Sequence, residues 1–249
     1  MSALHALVIF AAGIAAGTIN TVVGSGTLIT FPTLLAFGYA PVTANVSNTI
    51  GLVPGSVAGT IGYRQELHGQ RERVIALGSA AVAGGILGSI LLLVLPAAAF
   101  KAIVPFFIAV ALLLILLQKQ INRALGDRRR GHGEGVAFGA LAGAFCCGIY
   151  GGYFGAAQGI LMLSVLGLSI DDTLQRLNAV KVITTGLTNL VAGVVFVIAA
   201  HVAWDVAALI AGGSIIGGLL GARYGRRLSP IALRALIVVV GAVAIERLV

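Results

Sequence analysis

The chain has 249 residues, 59% of them apolar and only 10% charged, with a mean hydropathy of +1.06. A soluble domain carries about 25% charged residues, so a soluble globular fold is excluded. The formal net charge of +8 does not point to nucleic acid. Most of the basic residues are confined to a few short loops, the pattern of membrane orientation rather than of a binding face.

The first tract, residues 1–63, contains no Lys, Arg, Asp or Glu. Its opening, MSALHALVIFAAG, lacks the positive n-region of a cleaved signal and reads as a first membrane segment. Within the tract, Gly24, Ser25, Gly26 and Pro32 interrupt the helix pattern. Interrupted backbone at membrane depth survives only where protein buries it or a wet cavity meets it. The polar loop 64–73 carries Arg64, Arg71 and Arg73. Residues 74–95 are free of charge and long enough to span about 30 Å of hydrocarbon. A turn is expected over 96–101, then an apolar helix over 102–117. The basic linker 119–134 follows, with Arg123, Arg128, Arg129 and Arg130.

Residues 136–170 form a second charge-free tract, broken by a glycine cluster over 148–159. Cys146 and Cys147 are adjacent, and no disulfide framework is expected from such a pair. After a polar turn with Asp171 and Asp172, residues 178–200 are apolar apart from Lys181 and a few neutral polar groups. Residues 206–222 predict another span, 223–229 carry Arg223, Arg226 and Arg227, and 230–249 predict a last helix.

The chain repeats itself. Gly84-Gly85-Ile86-Leu87-Gly88 returns 133 positions later as Gly217-Gly218-Leu219-Leu220-Gly221. At the same offset His68 meets His201, Asn45 meets Asn178 and Ser56 meets Asn189; earlier the offset slips, and Gly26 aligns with Gly155. Residues 1–118 and 135–249 are therefore two copies of one unit. Loops at equivalent positions differ in charge, and positive loops face the cytoplasm. The copies are expected to be inverted, with loops 64–73, 119–134 and 223–229 cytoplasmic and both termini external. The expected fold is an all-α polytopic membrane protein with four to five segments per repeat. The sequence is compatible with the broken pairs as re-entrant hairpins or as full crossings. Inverted repeats with interrupted helices at their interface are a common plan for secondary transporters.

The Gly24-Ser25-Gly26 break with its half-helix ending at Phe31-Pro32, followed by Asn45-Val46-Ser47-Asn48-Thr49, resembles the first repeat of the TauE/SafE sulfite exporter family. Gly151-Gly152-Tyr153-Phe154-Gly155-Ala156-Ala157-Gln158-Gly159, followed by Asn178-Ala179-Val180-Lys181, resembles its second repeat. The resemblance covers nearly the whole chain. It implies a bacterial inner-membrane permease for small sulfur-containing anions such as sulfite or organosulfonates.

Candidate binding residues fall in two sets. Gly24, Ser25, Gly26 and Thr27, with Gly155, Ala156, Ala157 and Gln158, begin half-helices, whose free N–H groups and positive dipole end suit an anion. Asn45, Ser47, Asn48 and Thr49, with Asn178 and Lys181, form the second set. An intramembrane lysine costs about 2.5–3.5 kcal/mol on insertion scales. Lys181 is therefore either substrate-facing or snorkelling to the interface beside Arg176. Thr184, Thr185, Thr188 and Asn189 are expected to bond between helices. Trp204 and several tyrosines near segment ends suit interfacial anchoring. His5, His68, His132 and His201 lack ligand spacing, so no metal site is expected.

Asp171, Asp172, Asp205, Glu66 and Glu72 are all expected in loops, which argues against an intramembrane enzyme and against a carboxylate proton relay. The function expected is a secondary transporter, with a scaffold or assembly subunit as the alternative. No cofactor is expected, and no ATP-binding loop of the form GxxxxGK[ST] is present. The expected partners are a small anion, the bilayer and, as one option, a second copy of the chain; nucleic acid is not among them.

Overall fold

The computed structural model describes residues 1–127 and 138–225, and every long element among them is an α-helix. In order these are α1 (Ala3–Val22), α2 (Thr27–Ala36), α3 (Pro41–Gly62), α4 (Arg71–Val94), α5 (Ala97–Asp127), α6 (Phe138–Tyr153), α7 (Gln158–Ser169), α8 (Leu174–Ala199) and α9 (Trp204–Tyr224). Residues 128–134 of the basic linker, Arg226, Arg227 and the helix expected over 230–249 lie outside the described residues. Five helices, α1, α4, α5, α8 and α9, are long and apolar enough to cross a bilayer. Large apolar side chains point outward, with Ile198, Val94 and Phe106 exposed by 79%, 74% and 66%. Such a surface suits hydrocarbon, not water.

The turn expected over 96–101 is shorter than the sequence suggests. Pro96 forces the residue before it out of the helical region, and Leu95 takes ψ 142°. The chain then re-enters helix at Ala97 and runs past Pro105 to Asp127, well into the basic segment.

Glycine lets helices from different halves approach to backbone contact. A Cβ at Gly84 of α4 would lie 2.1 Å from the Phe145 carbonyl oxygen of α6, and one at Gly88 would lie 2.0 Å from that of Ile149. Gly217 of α9 stands in the same relation to Ile14 of α1, at 2.1 Å. The two matching glycine strings thus do one job twice. Each half's long helix holds the other half's first helix. The repeat partners α3 and α8 also touch, with Ile50 at Gly193, Ser56 at Gly186 and Gly59 at Val182. Numbers that rise on one helix and fall on the other mean that α3 and α8 run antiparallel.

Both broken pairs are hairpins that return to the face they left. His5 near the start of α1 stacks on Phe37 at the end of α2, with ring centroids 4.2 Å apart. In the other half, a Cβ at Gly143 of α6 would meet Val165 of α7 at 2.6 Å. The first hairpin opens beside the α8–α9 turn, where the Ala203 N–H donates to the Ser47 hydroxyl at 2.9 Å. There, burial and the nearby Asp205 carboxylate push the Tyr39 hydroxyl above its ordinary pKa.

The second hairpin opens on the opposite face, beside the α3–α4 turn. Asp172 binds Arg73 at 2.7 Å and Arg176 at 3.0 Å, and Arg176 donates to the His68 carbonyl at 3.1 Å. Burial alone would raise the Asp172 carboxyl. Hydrogen bonds from Arg176, the Thr173 amide and Arg73 outweigh it and hold the group below the usual carboxylate range.

Candidate functional site

Helix α1 ends because Gly24 turns left-handed, at φ 89°. Its N–H and that of Val23 both close on the Ile19 carbonyl, at 2.9 and 2.7 Å. Helix α6 ends the same way. Gly155 has φ 75°, and its N–H and that of Phe154 close on Tyr150 at 3.0 and 2.9 Å. Glycine is the residue that reaches this region without steric cost. Gly24, not Gly26, is therefore the conformational counterpart of Gly155; Gly26 is helical at φ −58°. Gly151 and Gly152 do not break α6. They are helical, and Gly152 packs against the Gly85 carbonyl, 2.2 Å from where its Cβ would be.

The breaks touch. The Gly159 N–H at the start of α7 donates to the Gly24 carbonyl at 3.0 Å. From there α2 and α7 run back 10 and 12 residues, about 15 and 18 Å at 1.5 Å per residue. Each is roughly half the hydrocarbon thickness. Ser25, Gly26, Thr27, Ala156, Ala157 and Gln158 are all buried, and Gly155 is half-buried. The N–H groups of Ser25, Gly26, Thr27, Ala156 and Ala157 meet no hydrogen-bond acceptor among the described residues. Buried N–H groups without partners are rare in native proteins and costly.

Lys181 does not snorkel. Its side chain is fully buried, and Nζ donates to the carbonyls of Asn20 at 3.0 Å and Thr21 at 3.1 Å. The ammonium thus sits on the negative end of α1. Its stem runs past the crossing, since a Cβ on Gly159 would come within 2.9 Å of Lys181 Cδ. Asn178 joins it there, donating to the Thr21 carbonyl at 3.3 Å. In the other half Asn45 donates to the Tyr153 carbonyl at 3.0 Å. Asn48 fastens the first turn of α2, donating to Thr27 Oγ1 at 3.2 Å and accepting from Thr30 Oγ1.

Two of the expected residues serve elsewhere. Ser47 receives the Ala203 N–H at the entry to α9, and Gln158 lies on Gly151 and donates to the Cys147 carbonyl at 3.1 Å. The threonines after Lys181 do not link helices. The hydroxyls of Thr184, Thr185 and Thr188 return to carbonyls three or four residues back on α8, and Thr49 does the same to Asn45. Sequence reasoning missed Thr30, although it stands three residues after Thr27 on one face of α2. It also missed Asn20 and Thr21, which act through backbone carbonyls that no side-chain pattern reveals. On the face bearing Arg73 and Arg176, a cavity of about 700 Å³ is lined by these two with Gly69, Arg71, Glu72, Ile75 and Asp172.

A helical, multi-pass membrane protein with its polar interior at two interrupted helices is built as membrane transporters are built. The chain belongs to the TauE/SafE sulfite exporter family, whose model matches residues 9–248. It is similar to the probable membrane transporter protein YfcA of Escherichia coli K12, 27% identical over 97% of this chain and 88% of that one. It is also similar to the probable membrane transporter protein ORF9 of a Sinorhizobium species, 29% identical over 96% of this chain and 90% of that one. A probable membrane transporter protein of Haemophilus influenzae is 27% identical over 87% and 83% of the two chains. No solved structure gives a significant match.

Proposed function

We propose that this protein is a secondary exporter of a small sulfur-containing anion, sulfite or an organosulfonate, across a bacterial inner membrane. The observation that carries the reading is the set of buried, unpartnered N–H groups of Ser25, Gly26, Thr27, Ala156 and Ala157 at two touching half-helix starts. Amides at a helix N-terminus complement an oxyanion, and the Lys181 ammonium beside the crossing adds positive potential. The antiparallel course of α3 and α8 supports inverted repeats, which let such a site open to either side by rocking one half against the other.

Arg64, Arg71, Arg73 and Arg176 belong to the face where the second hairpin opens. By the positive-inside rule that face is cytoplasmic and the N-terminus external. The arginine-lined cavity there is a vestibule that concentrates anions before entry. With the cell interior negative, the membrane potential drives an anion outward by about 2.3 kcal/mol per charge per 100 mV, so export needs no nucleotide.

The test is uptake of radiolabelled sulfite by vesicles holding the purified protein. Wild type is expected to transport, and Lys181→Ala and Gly26→Leu are expected to abolish transport. Wild-type rates in both variants would remove the site assignment. A wild type that moves neither sulfite, taurine nor sulfoacetate would remove the substrate class.

A further inference from the structure

Each half caps the interrupted helix of the other with an asparagine. Asn178 Nδ2 donates to Thr21 O at 3.3 Å, and Asn45 Nδ2 donates to Tyr153 O at 3.0 Å. Spending the NH2 group on a carbonyl settles which way each amide faces. What remains at each tip is an oxygen. Both oxygens are buried with no hydrogen-bond partner among the described residues, and Asn45 is wholly inaccessible to solvent. An unpaired oxygen beside the negative end of a helix repels an anion and calls for a donor or a cation.

At α1 the cation is built in: Lys181 Nζ lies 3.0 and 3.1 Å from the carbonyls of Asn20 and Thr21. The repeat puts Asn48 where Lys181 would stand, 133 positions earlier, and Asn48 is turned toward Thr27 and Thr30 of α2. The end of α6 therefore has the same glycine turn, the same asparagine cap and the same orphan oxygen, but no tethered charge. Among the described residues, Asn45 is the one side chain that donates to the carbonyls of residues 150–153.

We propose that the C-terminal end of α6 binds a monovalent metal cation, with Asn45 Oδ1 and the α6 terminal carbonyls as its oxygen ligands. The cation takes the place that the Lys181 ammonium takes at α1. A divalent ion is disfavoured because hard divalent cations recruit carboxylates, and no Asp or Glu is buried among the described residues. Neutral carbonyls at broken helix ends are the ligands that coupling sodium ions use in transporters of inverted-repeat design. Where the exporter reading holds, this ion is the coupling ion. Its binding is a separate claim and is read without any transported anion.

The experiment measures thermal unfolding of the full-length protein in detergent. NaCl, KCl and N-methyl-D-glucamine chloride are compared at equal ionic strength, with chloride as the only small anion. A saturable stabilisation by sodium or potassium that the organic cation does not give is expected. Asn45→Asp puts a carboxylate at the same point and is expected to lower the half-saturating metal concentration at least about threefold. Asn178→Asp, beside Lys181, is expected to leave it unchanged. Asn45→Leu is expected to remove the stabilisation; if that variant does not fold, the Asp variant decides. Identical unfolding in metal and organic chloride overturns the proposal, and so does an unchanged half-saturation in Asn45→Asp, which would mean that water alone meets this oxygen. Neither result bears on sulfite uptake, so the two claims fail separately.

Discussion

The backbone N–H of Gly159 donates to the carbonyl of Gly24 across 3.0 Å, joining helices interrupted in opposite halves of the chain. The two residues have room for nothing larger. A Cβ on either would lie 2.4 Å from the other's Cα. The candidate anion seat is therefore held together by the contact of two residues without side chains.

That contact predicts a graded glycine series. Gly38 shares the left-handed backbone of Gly24, at φ 84° against 89°, but a Cβ there meets no atom within 4 Å. Gly38→Ala is expected to cost only the left-handed strain, about 1–2 kcal/mol, and to keep transport. Gly24→Ala carries the same strain, adds overpacking of about 1–3 kcal/mol against Gly159 at the crossing and is expected to abolish transport. Equal melting temperatures and equal uptake for the two variants would show that the crossing is not tight.

Lys181 offers a way to separate stability from function. Lys181→Met loses two hydrogen bonds from a charged group, about 1.5–3 kcal/mol each, and also relieves the burial of an ammonium, an effect of comparable size. The melting temperature is expected to move little while transport is lost. Wild-type uptake by Lys181→Met would reduce the residue to a helix cap.

The antiparallel course of α3 and α8 is open to cross-linking. A Cβ on Gly186 would lie 2.9 Å from Ser56 Cβ, so parting the helices by about 1 Å gives the Cβ separation of a disulfide. With Cys146 and Cys147 replaced by alanine, Ser56→Cys combined with Gly186→Cys is expected to lose its free thiols on mild oxidation. Pairing Ser56→Cys with Leu174→Cys at the far end of α8 should not. The reverse outcome would refute the register.

Asp172 ties the α7–α8 turn to α4 through Arg73 and to the first turn of α8 through Arg176. Its folded carboxyl titrates below the usual range, so its contribution is present at neutral pH and is lost as pH falls through that depressed value. Asp172→Asn is expected to lower stability at pH 7 by about 1 kcal/mol or less, as for a partly exposed pair. The gap from wild type should narrow as pH falls below the ordinary aspartate value of about 3.9. A gap that persists in acid would mean that packing, not charge, is what the substitution disturbs.

The amino-acid sequence by itself determined the membrane class, the recurrence of a glycine string 133 positions on and the place of the first break. Hydropathy, small-residue spacing and a glycine at a helix end act over a few residues, so they can be read one stretch at a time. The paired glycine strings around Gly84 and Gly217 belong to this legible part, and in the fold they carry matching helix contacts. Tertiary structure decided the rest. It placed the second break after Tyr153, within the glycine cluster over 148–159, and it turned both broken pairs back to the face they left. It also set Lys181 on Thr21, 160 positions away, and turned Thr184 and Thr185 onto their own helix. The physical reason is that a buried donor bonds whichever carbonyl the packing brings to it. That carbonyl lies on a distant part of the chain and leaves no mark in the residues around the donor.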